Sequence, residues 1–205
     1  MSDKNKRRSF PDWEKLYKEE PVEKMPWFNP ELDRDLSGAL KDLRIKGGRA
    51  LDIGTGPGTQ AFRLSEMGFE VTATDISKSA IRKARKAAKE KGLEIDFRVD
   101  DVLATKLSGA FDFIFDRGCF HVLPPEKRAV YRDTVAGLLN EGGYLLLKCF
   151  SVRETKMQGG PYRFTRKALK EALGGAFRAV SIKDTVYQGT LDALPKALFS
   201  IWVRK

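Results

Sequence analysis

Apolar runs of strand length alternate along this chain with stretches whose apolar residues recur at helical spacing, the order a parallel sheet with crossover helices requires. Residues 49–53, 70–74, 95–99, 111–115, 144–149, 178–183 and 198–204 read as seven strands. Helical patterns at 59–67, 77–91 and 125–139 separate the first five, with Gly68, Gly92 and Gly142 placed where helices stop. Only a turn or a short helix fits between the third and fourth strands. The last two runs are joined by residues 184–197, and the final one is expected to pair antiparallel, as happens at the edge of such sheets.

A leader precedes the sheet. Asp12 is placed to cap a short helix carrying Trp13 and Tyr17 on one face, and Asn29-Pro30 to start a second helix with Leu32, Leu36, Leu40 and Leu43 as its buried stripe. Pro21 and Pro26 forbid one continuous helix. Trp13, Tyr17 and Trp27 are large aromatics in a hydrophilic stretch and have to be buried against something. The carboxyl edge of the sheet, where open α/β sheets bind ligands, is a candidate.

Composition narrows the class. With 205 residues and 41% hydrophobic content the chain fits one folded domain, and no apolar stretch approaches the roughly 18 to 20 residues that span a bilayer. Its first ten residues are polar and basic, unlike a secretory signal, so a cytoplasmic location is expected. Cys119 and Cys149 lie in no metal-ligand spacing and His121 is the single histidine, so neither a structural metal nor a disulfide is expected. The net charge of +10 raises the question of a nucleic-acid partner. Much of it, however, lies in Lys78, Arg82, Lys83, Arg85, Lys86, Lys89 and Lys91, interleaved with Ala80, Ile81, Ala84, Ala87 and Ala88, the pattern of a solvated amphipathic helix face.

The chemistry is concentrated after the first strand. Gly54, Gly56 and Gly58 allow a sharp turn and close approach of a ligand to the backbone, with Asp52 before it and Thr55 within it. Asp75, 21 residues after Gly54 and ending the second apolar run, is placed to accept both ribose hydroxyls of a nucleoside. A dinucleotide fingerprint needs G-x-G-x-x-G, but here the third glycine comes one residue early and Thr59 stands sixth, which disfavours a dinucleotide. Ile76 and Val102 are suited to sandwich an adenine ring.

The glycine pattern resembles the first motif of the Rossmann-like, class I S-adenosylmethionine-dependent methyltransferases. The string Asp116-Arg117 through Leu123-Pro124-Pro125, Arg128 and Tyr131 is similar to the corresponding segment of the thiopurine S-methyltransferase group, whose relatives include thiol, halide and tellurite methyltransferases. The resemblance runs from about Trp13 to the fifth strand. It implies an α/β fold with a seven-stranded, mostly parallel sheet, helices on both faces and the last strand antiparallel. A helical lid (1–46) would precede a core (47–205) in a single domain, and S-adenosylmethionine would be the cofactor. It further implies that Asp101, after the third strand, meets the adenine amino group, with a solvated turn carboxylate as the alternative. Asp116 and Arg117 would lie at the cofactor's methionine end, Arg117 gripping its carboxylate, and Trp13 and Trp27 would cover the cofactor. One departure is that Gly54-Thr55-Gly56-Pro57-Gly58 has the generic methyltransferase form rather than the thiopurine one.

The implied function is methylation of a small, soft nucleophile such as a thiol, selenol or metalloid. The alternatives are methylation of RNA or another macromolecule, and a module that binds the cofactor without turnover; no membrane partner is expected and the oligomeric state is open. Candidate catalytic residues are His121, whose ordinary pKa suits proton transfer, and Arg153 and Tyr162 around the 150–163 loop. Arg163 is a second cation able to favour a thiolate. Met157, Gly159 and Gly160 give that loop the composition of a flap; it also reads as an exposed basic loop. His121 reads equally as a cap for the helix starting near Pro125, and Cys119 as a small buried thiol.

Overall fold

The computed structural model describes residues 10–157 and 159–205. Strands β1 (Arg49–Ile53), β2 (Glu70–Asp75), β3 (Asp96–Val99), β4 (Phe111–Arg117), β5 (Leu139–Ser151), β6 (Arg163–Phe164), β7 (Phe177–Val186) and β8 (Lys196–Arg204) form one eight-stranded sheet of order β3-β2-β1-β4-β5-β8-β7, with the two-residue β6 pairing with β5 off this path. The first six pair in parallel, and β8 is antiparallel to both β5 and β7. The final strand is therefore antiparallel as expected but internal. Burial explains its position: β8 is buried from Ala197 to Trp202, whereas β7 exposes Arg178, Lys183 and Asp184, the polar surface an edge strand tolerates.

Helices α1 (Trp13–Glu19), α2 (Arg34–Asp42), α3 (Thr59–Glu66), α4 (Lys78–Glu90), α5 (Arg128–Leu138) and α6 (Arg166–Leu173) complete the fold. Leu36 and Leu40 of α2, Ala61, Phe62 and Leu64 of α3 and Ile81 and Ala84 of α4 pack with Phe113, Phe115 and Leu146 on one face of the sheet. Tyr131 and Val135 of α5 and Leu169 and Leu173 of α6 pack with Ile114, Leu145 and Leu147 on the other. Of the 1–46 segment, α2 thus belongs to a helical layer, while α1 lies across the start of α4. Residues 1–9 of the expected lid lie outside the described residues.

Three local expectations are corrected. Helix α2 starts at Asp33, whose side chain accepts from the Asp35 and Leu36 N–H groups, and not at Asn29-Pro30. Gly142, with φ +72°, lies inside β5 rather than at a helix end. There the register steps from Phe111 opposite Leu139 to Phe113 opposite Tyr144, so β5 bulges across 140–143. Helix α6 and strand β6 fall in a segment where no element was expected. Among the described residues no helix is long and apolar enough to cross a membrane.

Parallel pairing brings the carboxyl ends of the strands to one edge. Ile53 sits opposite Thr74 and Asp116, and Asp75 opposite Val99, so the turns after β1, β2, β3 and β4 face one another. This is the crevice at which open α/β sheets bind ligands.

Candidate functional site

The turn after β1 adopts positive φ at Gly54 (+68°), Gly56 (+54°) and Gly58 (+84°). A Cβ on Gly58 would come within 3.0 Å of Ala84 and of the Phe62 ring, and one on Gly56 within 2.5 Å of the Tyr17 hydroxyl. Side chains are excluded at both positions by conformation and by space. The Thr55 N–H donates to the Thr74 carbonyl at 2.9 Å, tying the turn to β2, and the Thr55 hydroxyl donates to Asp52 at 2.6 Å.

Asp75 is 7% exposed. Its carboxylate accepts from the Gly56 N–H at 2.9 Å and from the Ser77 N–H at 2.8 Å. One side chain thereby aligns the glycine turn with the start of α4. Burial pushes the Asp75 carboxyl up, opposed by these two hydrogen bonds, and burial likewise pushes Asp52 up to about 7, against the pull of the Thr55 hydroxyl. Beside Asp75, Ile76 is 56% exposed, whereas Val102 is buried in the core cluster that holds Leu51, Ile53 and Tyr131. Asp100 folds its own loop, accepting from the Thr105 hydroxyl and the Lys106 N–H, whereas Asp101 accepts from the Leu103 N–H through one oxygen.

Asp116 is not at the disposal of a ligand. It is fully buried and accepts from the N–H groups of Gly118, Cys119 and Phe120 and from the Tyr131 hydroxyl, at 2.6 to 3.0 Å. Burial pushes its carboxyl up to about 6 while these bonds pull it down. Its work is to shape the turn after β4. Arg117 is likewise engaged: its Nε donates to Asp33 at 3.0 Å, Nη1 to the Trp27 carbonyl at 2.9 Å and Nη2 to the Gln188 carbonyl, and its guanidinium lies over the Tyr187 ring at 4.4 Å. Three of five N–H groups are so used, which leaves one on each Nη.

The expected catalytic residues are dispersed. His121 is buried; its Nδ1 accepts from the Phe150 N–H at 3.3 Å, and its ring stacks on Tyr187 and meets the edge of Phe150. Burial, then the Arg117 charge, pushes it down to about 3, so it is neutral near pH 7 with its proton on Nε2. It caps no helix, since Lys127 precedes α5. Tyr162 is near it, donating its N–H to the His121 carbonyl at 2.8 Å, with its ring under Arg128. Arg153 points elsewhere, pairing with Asp184 of β7 at 3.3 Å in an exposed position shared with Arg166. The 150–163 loop is anchored by Glu154, which accepts from the N–H groups of Lys196, Lys156 and Met157, and Arg163 turns back onto the Met157 and Gly159 carbonyls. Burial pushes the Cys119 thiol well above the usual range, so it is no thiolate nucleophile.

The leader closes over this edge. Trp13 meets Trp27 edge-on at 5.9 Å, and the Trp27 indole N–H donates to the Tyr17 hydroxyl at 3.3 Å. Glu14 accepts from the Ser77 and Ser79 hydroxyls and the Ser79 N–H at 2.7 to 2.9 Å. These bonds pull Glu14 from 4.5 to about 2, so its contribution is complete above about pH 4.5 and fades as the pH falls through 2. Glu14→Gln should loosen α1 already at pH 7, read as a red shift and increased quenching of tryptophan fluorescence, while the native protein keeps the docked signal down to about pH 4.

Residues with no recognised role in the sequence stand out here. Glu14, Asp33, Gln60, Lys148, Tyr187 and Gln188 bind the leader to the core; Gln60, for one, accepts from the Asp33 N–H at 2.8 Å and donates to the Asn29 and Glu31 carbonyls. One signal was available. Lys148 stands alone among Leu145, Leu146, Leu147, Cys149 and Phe150, and a cation inside a buried strand demands a partner.

This sheet, with its three-glycine turn after β1 and acidic end to β2, is a fold shared with solved S-adenosylmethionine-dependent methyltransferases at low sequence identity. Residues 50–143, a little under half of the chain, match a methyltransferase domain family. The chain is 35% identical over 109 residues to a ubiquinone biosynthesis O-methyltransferase of Xanthomonas euvesicatoria pv. vesicatoria, covering 51% of this chain and 44% of that protein. It is 27% identical over 175 residues to thiocyanate methyltransferase 1 of Arabidopsis thaliana, covering 84% of this chain and 75% of that one. A solved S-adenosylmethionine-dependent methyltransferase from Anabaena variabilis superposes with a TM-score of 0.76 at 21% identity, covering 100% of this chain and 99% of its own. The chain spans about half the length of the first curated relatives it matches, 44% and 54%.

Proposed function

We propose that this chain transfers a methyl group from S-adenosylmethionine to a small, soft nucleophile such as a thiol, selenol or metalloid. The observation that carries the cofactor assignment is the joint geometry of Gly56 and Asp75: a positive-φ glycine under the Tyr17 hydroxyl, its N–H bonded to a buried carboxylate at the neighbouring strand end. The buried carboxyl groups of Asp52 and Asp75 beside this turn, once ionised, also favour a cationic ligand. When bound, the sulfonium supplies an already activated methyl donor, so what is asked of the protein is alignment and exclusion of water. Asp75 would hold the ribose hydroxyls, Asp101 the adenine amino group and Ile76 with Val102 the ring faces. Gly54 to Gly58 would make room for the amino-acid tail, with Asp52 near its ammonium and the two remaining Arg117 N–H groups near its carboxylate. Trp13, Trp27 and Tyr17 would close the cover.

The acceptor side favours a nucleophile that brings its own reactivity. His121 is too weak a base to take a proton from a hydroxyl, and Arg117, the charge that acts on it, is paired with Asp33. Similarity over most of its length to a thiocyanate methyltransferase agrees with a soft acceptor. Methylation of oxygen, the chemistry named for the ubiquinone relative, would need a base. The test is product analysis by mass spectrometry after incubating labelled cofactor with thiols, selenite, tellurite, thiocyanate, a catechol and RNA. Methylated thiol or metalloid supports the reading; methylated catechol or RNA alone overturns it.

Asp52 adds a pH signature. Because burial holds its carboxyl up to about 7, it ionises across the neutral range, and a cationic ligand binds the ionised form better. Affinity for S-adenosylhomocysteine, whose tail carries an ammonium, is expected to rise between pH 6 and 8 by isothermal titration calorimetry. In Asp52→Asn this rise should be lost.

A further inference from the structure

We propose that Lys148 is a positioning residue for Arg117: by holding Asp33 on both oxygens, it keeps one edge of the guanidinium available to the carboxylate of the bound cofactor. This rests on the cofactor reading above and adds a residue that reading does not contain. Lys148 lies in mid-β5, opposite Arg117 of β4 and Phe199 of β8, with no exposed side-chain surface. Its Nζ donates to Asp33 Oδ1 at 2.7 Å and Oδ2 at 2.6 Å and to Gln188 Oε1 at 2.6 Å, and lies 2.6 Å from Asp35 Oδ2. Asp33 is equally buried and also caps α2. Arg117 meets Asp33 through Nε only.

A guanidinium and a buried carboxylate left to themselves pair through two parallel bonds. With Lys148 on both carboxylate oxygens that fork is denied, and the Arg117 Nη groups extend instead to the Trp27 and Gln188 carbonyls. The cluster is charge-balanced, two carboxylates against two cations. Removing Lys148 leaves Asp33 facing the Arg117 guanidinium without competition, free to draw it into a two-bond pair and away from the crevice. A buried ion pair is weak evidence for stability in itself, because an apolar pair of similar volume serves as well. A lysine here makes physical sense when the freedom of its neighbour matters.

The test compares S-adenosylhomocysteine with 5′-methylthioadenosine, which keeps the nucleoside and the sulfur but lacks the amino-acid tail. Calorimetry on the full chain should show the native protein preferring S-adenosylhomocysteine. Lys148→Met should lose at least about tenfold of that preference with its affinity for methylthioadenosine unchanged within about twofold, the size of a charge-assisted hydrogen bond lost. Combining it with Asp33→Asn should restore the preference, since no carboxylate then recruits Arg117 while asparagine still caps α2. An equal loss of both ligands in Lys148→Met, or no recovery in the double variant, overturns the proposal. If Lys148→Met does not fold, Asp33→Asn alone decides: a retained or increased preference supports the role of Lys148, and a lost preference overturns it. A native protein that binds neither ligand overturns the cofactor reading itself, a different result from binding both without discrimination by Lys148.

Discussion

Asp75→Ala is expected to weaken S-adenosylhomocysteine binding by at least about a hundredfold, the largest effect on ligand binding foreseen for one substitution. Two losses add. The ribose hydroxyls lose a charged acceptor, a contribution of about 1.5 to 3 kcal/mol for each such hydrogen bond. The Gly56 and Ser77 N–H groups lose theirs too, so the glycine turn is no longer tied to the end of β2. Asp75→Asn, which keeps one acceptor oxygen, should fall between alanine and the native protein. Titration calorimetry measures all three, and an unchanged affinity in Asp75→Ala would remove Asp75 from the site.

The largest stability effect is expected at Asp116. Its carboxylate satisfies three backbone N–H groups and the Tyr131 hydroxyl, of which the Phe120 N–H and the Tyr131 hydroxyl are buried. Asp116→Ala leaves four donors without acceptors, two of them buried, at about 1 kcal/mol each and more for the buried pair, and should destabilise the protein by roughly 4 kcal/mol. For a chain of this length that lowers Tm by about 10 °C. Tyr131→Phe, which removes a single donor together with its need, should cost only about 1 kcal/mol. Thermal melts followed by circular dichroism separate the two, and equal shifts would mean that the turn after β4 is held by something other than Asp116.

Asp116 also shows where reading the chain stops short. Its position after a strand and beside a family-like arginine marks it as important, but importance is not contact with ligand: a carboxylate at a strand end serves the backbone of its own turn as readily as a ribose. Asp75 and Asp116 lie at the carboxyl ends of the two strands that flank β1, one register step apart, and only the neighbouring loops decide that Asp75 accepts two hydrogen bonds while Asp116 accepts four. His121 makes a related point. Its ordinary pKa suits catalysis, but enclosure by Phe150 and Tyr187, which are distant in the chain, removes its basicity.

Period and punctuation are local properties, so the alternation of strands and helices, the glycine turn, the Asp12 cap and the acidic end of β2 were determined by the sequence itself. Asn29-Pro30 misled because a proline is as good a helix entry as Asp33 when only neighbours are considered; the pull of Gln60 and Lys148 on Asp33 comes from residues 27 and 115 positions away. The insertion of β8 between β5 and β7, the union of Asp33, Arg117 and Lys148, and the closure of Tyr17 over Gly56 were decided by tertiary structure alone. Each depends on which buried charges and apolar faces meet across the fold, and such pairings carry no periodicity along the chain.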